Sequence, residues 1–553
     1  MPLRSLSRVI SRTVFIFLCC LPLSFLFAQS VAVTTYHNDN RRTGMNPHET
    51  ILTPANVGSS SFGLLGTVTL DDQVDAEPLM VPGVNITAGS SQGIHDVVYV
   101  VTENNTVYAI DTHSFAILLS VNLGTPVPKP LGCVNNGPNV GINSTPVIDR
   151  TAKIMYVIAY NNDSSGPAYR IHALDLGSLT DKVPAQVITA THSLADGSTF
   201  TFNAKYQRQR PALLLSNGVV YAGFGSFCDF SGNLSRGWLL GWEKGTLTPL
   251  ASNKIFDTQV TSPRNFFLSS IWMSGYGLAA DDLGNVLAVT GNSDSSGTTY
   301  DGVTNIQESA VKVSPDLTTV LDLFTPMDQS HLDKTDGDFG SGGILVLPDQ
   351  PGSIKHLAVA AGKSGTLFLM NGDSLGGYSS TANNVLGSYS VGACWCGPSY
   401  YVDRDGIGRV VSSGGTTVKV WKLKFAAGKV ALVNSTSSAS IGGGQEPGFL
   451  TSVSSNGKNN AIIWALSHPT SRDTTINLFA FNPDAGGSTM TQLFKGAAGS
   501  WTSYFGQSNL VPMVANGQVY VAANKQLQVF GILPTGSGKE RAAGRAQPLR
   551  GNH

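Results

Sequence analysis

Charge is scarce in this chain. Only 13% of its 553 residues are Asp, Glu, Lys or Arg, and 35 basic residues stand against 36 acidic ones. Nucleic-acid binding draws on a clustered Lys and Arg surplus, which is missing here. Long apolar runs are missing too. The longest, Val14 to Ala28, has fifteen residues and contains Pro22, short of the ~20 needed to span a bilayer. Apolar heptads, the mark of a coiled coil, are absent. There is no CxxCH string, so no covalent haem is expected. The GKS at Gly362–Ser364 has Leu357 where a phosphate-binding loop needs glycine. No Trp-Asp dipeptide occurs, which argues against the repeat named after it.

What is present points to an all-β chain. Apolar residues make up 41%, enough to build a core, and 61 glycines supply turns. Arg4, Arg8 and Arg12 precede the Val14–Ala28 run, a basic start and apolar middle that read as a secretory leader over 1–28. A secreted or periplasmic protein is the expectation, with no transmembrane segment. Residues 534–553 read as a basic, disordered tail. Beyond the leader four cysteines remain, Cys133, Cys228, Cys394 and Cys396. In an oxidising compartment at least one disulfide is expected among them, with the pairing open.

One strand string recurs eight times, ending at Asp111, Asp175, Glu243, Ser314, Asn371, Lys422, Asn482 and Gly531, at intervals of 49 to 71 residues. TVYAID, WLLGWE, TLFLMN and NLFAFN are examples. Two further short strings precede each copy, all β-branched or aromatic and bounded by Gly, Asn, Asp or Pro. A small sheet repeated at this spacing is the pattern of a β-propeller. The reading is one domain, 29–533, of eight four-stranded antiparallel blades. Val31–Tyr36 has no blade of its own and is assigned to the last blade, closing the ring.

The blade strings resemble those of the quinoprotein alcohol dehydrogenase-like superfamily of eight-bladed propellers, over about 500 residues. That family includes dehydrogenases that use pyrroloquinoline quinone (PQQ) and calcium, and non-catalytic relatives that serve in outer-membrane assembly. VLAVTGNSD, from Val286, is similar to the segment carrying a calcium-ligating Asn, which implies Asn292. The segment from Thr325 resembles the one holding the catalytic Asp, best matched by Asp338. AAGKSGTLFLMN, from Ala360, implies Lys363 as the basic residue touching the quinone. SSIWMSGYG implies Trp272 beneath the cofactor ring. NGVVYAGFGSFCD resembles the strand before a calcium-ligating carboxylate, and Asp229 meets it with a one-residue shift. GCVNNG, Gly132–Gly137, departs from the family: it has one Cys where the family has an adjacent pair, and Asn136 where an Arg would hold a PQQ carboxylate.

Blade logic gives a check independent of family. Loops before an innermost strand and loops between second and third strands open on one face, here called the top. Asp338 lies in the first kind of loop, and Asn292, Lys363 and Asp229 in the second, so all four project to the mouth of the ring. Glu77, Asn143, Arg210, Trp272, Cys396 and Glu446 precede innermost strands and are expected around the same mouth. Each residue also has a plainer reading. Asn292 suits a turn. Asp338 suits a solvated loop or a structural calcium loop with Asp333 and Asp336. Lys363 suits an exposed hairpin, and Trp272 the core. The resulting alternatives are a PQQ- and calcium-dependent oxidation of an alcohol or sugar with an external electron acceptor, a scaffold with a protein partner, and a hydrolase or lyase using Glu77 with Glu446.

Overall fold

Strand strings buried on both faces become the inner strands of blades, and alternating ones become edges. In the computed structural model Leu357–Ala361 is buried at all five positions, whereas Ile117–Asn122 alternates between exposed and buried residues. Asn-Gly pairs make the tight connections: Asn217–Gly218 (φ 49° and 82°) and Asn516–Gly517 (φ 53° and 80°) adopt the left-handed turn that suits a twisted hairpin. The structure describes residues 30–534 except 135–136, 230–233, 261–265, 295–297 and 485. The expected leader, Asn136 and residues 535–553 of the expected tail lie outside the described residues.

The described residues form an eight-bladed β-propeller, with strand content near 46% and helix near 4%. Blade 1 comprises Leu79–Ile86, Gly93–Val101, Thr106–Asp111 and Ile117–Asn122, paired antiparallel in that order. Blades 2 to 7 repeat the order, with innermost strands Val147–Asp149, Leu214–Ser216, Ala279–Ala280, Ile344–Val346, Ser399–Val402 and Thr451–Asn456. Neighbouring blades share their apolar faces. Val100 and Tyr108 of blade 1 join Met155 and Val157 of blade 2 and Met513 and Tyr520 of blade 8 in one cluster. Each such aliphatic side chain contributes about 1.5–3 kcal/mol on burial.

Ring closure differs from the expectation. Blade 8 consists of Met513–Ala515 and Gln518–Ile532, and its outer edge is Phe62–Gln73, paired antiparallel from Phe62↔Ile532 to Gln73↔Asn524. A twelve-residue strand covers this edge, which six residues at Val31–Tyr36 cannot.

The segment from Val31 to Asn46 instead threads the axis and bonds to every blade in turn. Val31 pairs with Asn516 of blade 8, at 2.7 and 3.0 Å. Val33 exchanges two backbone bonds with Met80 of blade 1, and the Thr34 carbonyl accepts from Ile148 of blade 2. Arg42 Nη2 donates to the Leu213 carbonyl, just before the innermost strand of blade 3. The carbonyls of Asn40, Arg41, Thr43 and Gly44 accept from Ala280, Val346, Tyr400 and Val453 of blades 4 to 7. Met45–Asn46 then runs parallel to the inner strand of blade 7, and Asn46 Nδ2 reaches Val514 of blade 8. Tyr36, His37, Arg42 and Tyr276 are each 2% exposed or less. The thread thus fills the axis, below the loops that enter the innermost strands.

Candidate functional site

Filling the axis leaves a cavity of about 260 Å³ at the top of the ring. Loops of both kinds line it. Arg208 and Arg210 come from the segment entering blade 3, Trp272 from that entering blade 4, Asp336 and Asp338 from that entering blade 5. Cys228 and Asp229 follow the second strand of blade 3, and Lys363 follows that of blade 5. Trp395, Glu446, Gln507 and Asn509 complete the wall from blades 6 to 8.

Asp338 is the centre of the bonding. It is 2% exposed. Its Oδ1 accepts the Asn292 backbone N–H at 2.7 Å, and its Oδ2 meets Lys363 Nζ at 2.9 Å. Its carbonyl accepts the Lys363 backbone N–H at 3.0 Å. Close approach requires Gly291: a Cβ there would sit 2.8 Å from Asp338 Oδ1 and 3.1 Å from Trp272 Nε1. Lys363 Nζ also meets Asp336 at 2.8 Å, and Asn292 Nδ2 donates to Asp336 at 3.2 Å. The ammonium lies 5.6 Å from the Trp272 ring centre and 5.3 Å from that of Trp395, within cation–π range of both. Burial lowers the lysine pKa, but Asp338 and Asp336 outweigh it and hold Lys363 above its ordinary value. Burial pushes Asp338 up, and Lys363 offsets this only in part.

Behind Asp338 lies Glu308, fully buried, with Oε2 accepting the Phe339 N–H at 2.5 Å and Oε1 without a hydrogen-bond partner among the described residues. Burial, and then the neighbouring Asp338, hold its carboxyl well above the ordinary range. Asp229 is bonded to Ser226 Oγ. Burial pushes it up to about 7. Cys228 and Asp229 both take positive φ, 54° and 50°, an uncommon backbone for such residues. A disulfide from Cys228 to Cys133, in the loop entering blade 2, holds this turn. A second disulfide closes Cys394–Trp395–Cys396 and fixes Trp395 in the wall.

All five residues singled out by the resemblance therefore meet. Asp338, Lys363, Trp272 and Asp229 line the cavity, and Asn292 bonds to Asp338 and Asp336. Arg210 and Glu446, expected around the mouth, line it as well. Glu77 does not: it is 4% exposed and accepts the His37 N–H at 2.8 Å from the axial thread. The pairing of Glu77 with Glu446 therefore does not arise at the cavity. Arg208, Glu308 and Trp395 were missed. The QRQRP string did carry a signal for Arg208, since residues two apart before an inner strand face one way. Among the described residues no three His, Cys, Asp or Glu side chains converge as a metal site.

No family model and no curated protein matches the chain. Solved structures do. A quinohemoprotein alcohol dehydrogenase from Pseudomonas putida superposes with a TM-score of 0.55 at 13% identity, over 94% of this chain and 82% of that one. A europium-containing methanol dehydrogenase gives 0.54 at 11%, over 90% and 98%. The chain has the propeller fold of the quinoprotein dehydrogenases. BamB from Moraxella catarrhalis is more distant, at a TM-score of 0.42 and 12% identity over 87% and 99%. Among the described residues no helix is long and apolar enough to cross a membrane.

Proposed function

We propose that this chain is a secreted or periplasmic quinoprotein dehydrogenase that binds PQQ in the mouth cavity and oxidises an alcohol or sugar. The observation that carries the reading is the convergence of Asp338, Lys363, Trp272 and Asp229 on one cavity, with Asn292 bonded to Asp338. The residues present fit a flat polycarboxylate: two indoles, Trp272 and Trp395, and three cations, Arg208, Arg210 and Lys363, share the wall. They do not by themselves fit calcium. That ion takes six to eight oxygens, whereas Asn292 Nδ2 is bonded to Asp336, and Lys363 Nζ stands between Asp336 and Asp338.

The quinone, when bound, supplies the hydride acceptor. Asp338 would take the substrate hydroxyl proton, with the Asn292 N–H bonded to one carboxylate oxygen. Lys363 would supply the positive charge that stabilises the reduced group. Trp272 and Trp395 would hold the ring and exclude water. A separate acceptor would take the electrons. The test is dye reduction by the purified mature protein loaded with PQQ, across primary alcohols and aldoses, for the parent and Asp338→Asn. Turnover that needs PQQ and falls with the substitution supports the reading. A folded protein that takes up no PQQ hands the chain to the scaffold alternative, with a protein partner.

A further inference from the structure

Arg42, buried at the axis, spends its donors on the protein. Its Nε donates to the Leu278 carbonyl, Nη1 to Thr35 Oγ1 and the Tyr36 carbonyl, and Nη2 to the Leu213 carbonyl, at 2.7 to 2.9 Å. Arg208 and Arg210 differ. Among the described residues Arg208 donates only through Nε, to Asn143 Oδ1 at 3.1 Å. Arg210 is 4% exposed, and its Nη1 donates to the Asn143 carbonyl at 3.0 Å. Its Nη2 forms an ion pair with Asp75 Oδ1 at 3.6 Å but has no hydrogen-bond partner among the described residues. Both side chains line the mouth cavity. Two guanidiniums thus present unused N–H groups to one small space.

The nearby acids are engaged with other groups as well. Asp75 Oδ2 accepts from Gln73 Nε2 at 2.7 Å. Glu103 is bonded through both oxygens, to the Gly141 N–H at 2.7 Å and Asn143 Nδ2 at 2.5 Å. Burial and the adjacent Asp75 hold the Glu103 carboxyl well above its ordinary range. Arg208, pushed down to about 10 by burial and by Arg210, stays charged at neutral pH. Guanidinium N–H groups left without a partner at a cavity wall call for an anionic acceptor. Planar guanidinium forks match a carboxylate in shape and charge. Asp229, Asp336, Asp338 and Glu446 line the same cavity, so the anionic group is confined to the blade 3 wall where the arginines stand.

We infer that Arg208 and Arg210 form a carboxylate-binding subsite in the blade 3 wall of the mouth cavity. The carboxylate belongs either to the quinone or to a hydroxy-acid substrate, and both present the same chemistry. The subsite takes up the role that the resemblance gave to an Arg at position 136. It shares the cavity with the proposed function but does not depend on a quinone being there.

The test is equilibrium binding to the purified mature protein, followed by quenching of tryptophan fluorescence, because Trp272 and Trp395 line the cavity. The probes are PQQ, gluconate, uncharged glucose and inorganic phosphate. The variants are Arg208→Gln, Arg208→Lys and Arg210→Gln, each checked for fold by circular dichroism. If Arg210→Gln fails to fold, Arg208→Gln decides, since the Arg208 side chain makes one bond to the described residues. PQQ or gluconate should bind more tightly than glucose and phosphate, weaken about 10–100-fold in Arg208→Gln, and recover in part in Arg208→Lys. Gluconate binding that needs Arg208 while PQQ does not bind keeps the subsite and removes the quinone reading. PQQ binding unchanged by either glutamine variant, with no gluconate binding, keeps the quinone reading and overturns the subsite. Phosphate binding as tight as either carboxylate, or no carboxylate binding to folded parent protein, also overturns it.

Discussion

The site rests on a few side chains whose surroundings set their chemistry. Asp338 is held by two partners that an amide can also engage in part, so Asp338→Asn should leave the melting temperature near that of the parent. Turnover should fall by about 10²–10⁴-fold, the usual weight of a general base, as read by dye reduction. Asp229 gives a pH signature. Its carboxyl sits at about 7 against an ordinary 3.8, so folding favours the protonated form. Stability contributed by that preference is lost as pH rises from the ordinary value towards 7, and no further above it. Asp229→Asn should therefore raise the melting temperature at pH 8, by about 1–2 °C, and hardly at pH 4; equal shifts at both would contradict the assignment. Motif resemblance reached Asp338, Lys363, Asn292, Trp272 and Asp229, because each sits in a loop whose place in the blade is readable. Glu308 was not legible. It stands before a third strand with no motif around it, and only the three-dimensional approach of Phe339 brings it behind Asp338.

Repetition made the blades readable at the scale of elements, whereas the axial thread has neither repeat nor alternation. Residues 31–46 bond mainly through backbone atoms, and backbone pairing leaves little trace in side-chain pattern. Phe62–Gln73 was missed because it lies far in sequence from the blade it completes. The thread yields a stability prediction. Arg42→Met leaves the acceptors at Thr35, Leu213 and Leu278 unpaired in the core and should cost on the order of 3–5 kcal/mol. Calorimetry of the variant checks this, and a cost below 1 kcal/mol would mean the axis tolerates an open polar seam. The two disulfides make a second prediction. Denatured, unreduced protein lacking residues 1–28 should show no titratable thiol, and reduction should release four. Breaking Cys133–Cys228, whose partners are 95 residues apart, should free the Cys228–Asp229 turn and lower stability by up to about 4 kcal/mol.

On the scale of the whole molecule, the ring and the thread together explain why there is one mouth site. Eight blades converge their entering loops on the axis, and the thread closes the axis beneath them. A cavity is left that only top loops line. Scarcity of charge over most of the chain makes the cluster at this mouth stand out, with Arg208, Arg210 and Lys363 facing Asp229, Asp336, Asp338 and Glu446. The likeness to the two dehydrogenases, at TM-scores of 0.55 and 0.54, fixes the architecture, and these side chains carry the case for chemistry. The most direct measurement is a crystal structure of the mature protein soaked in PQQ. The account predicts a planar ligand at the mouth, between Trp272 and Trp395, with a carboxylate on Arg208 and Arg210 and its quinone oxygens near Lys363. An empty mouth at saturating PQQ, or a quinone bound away from these residues, would contradict it.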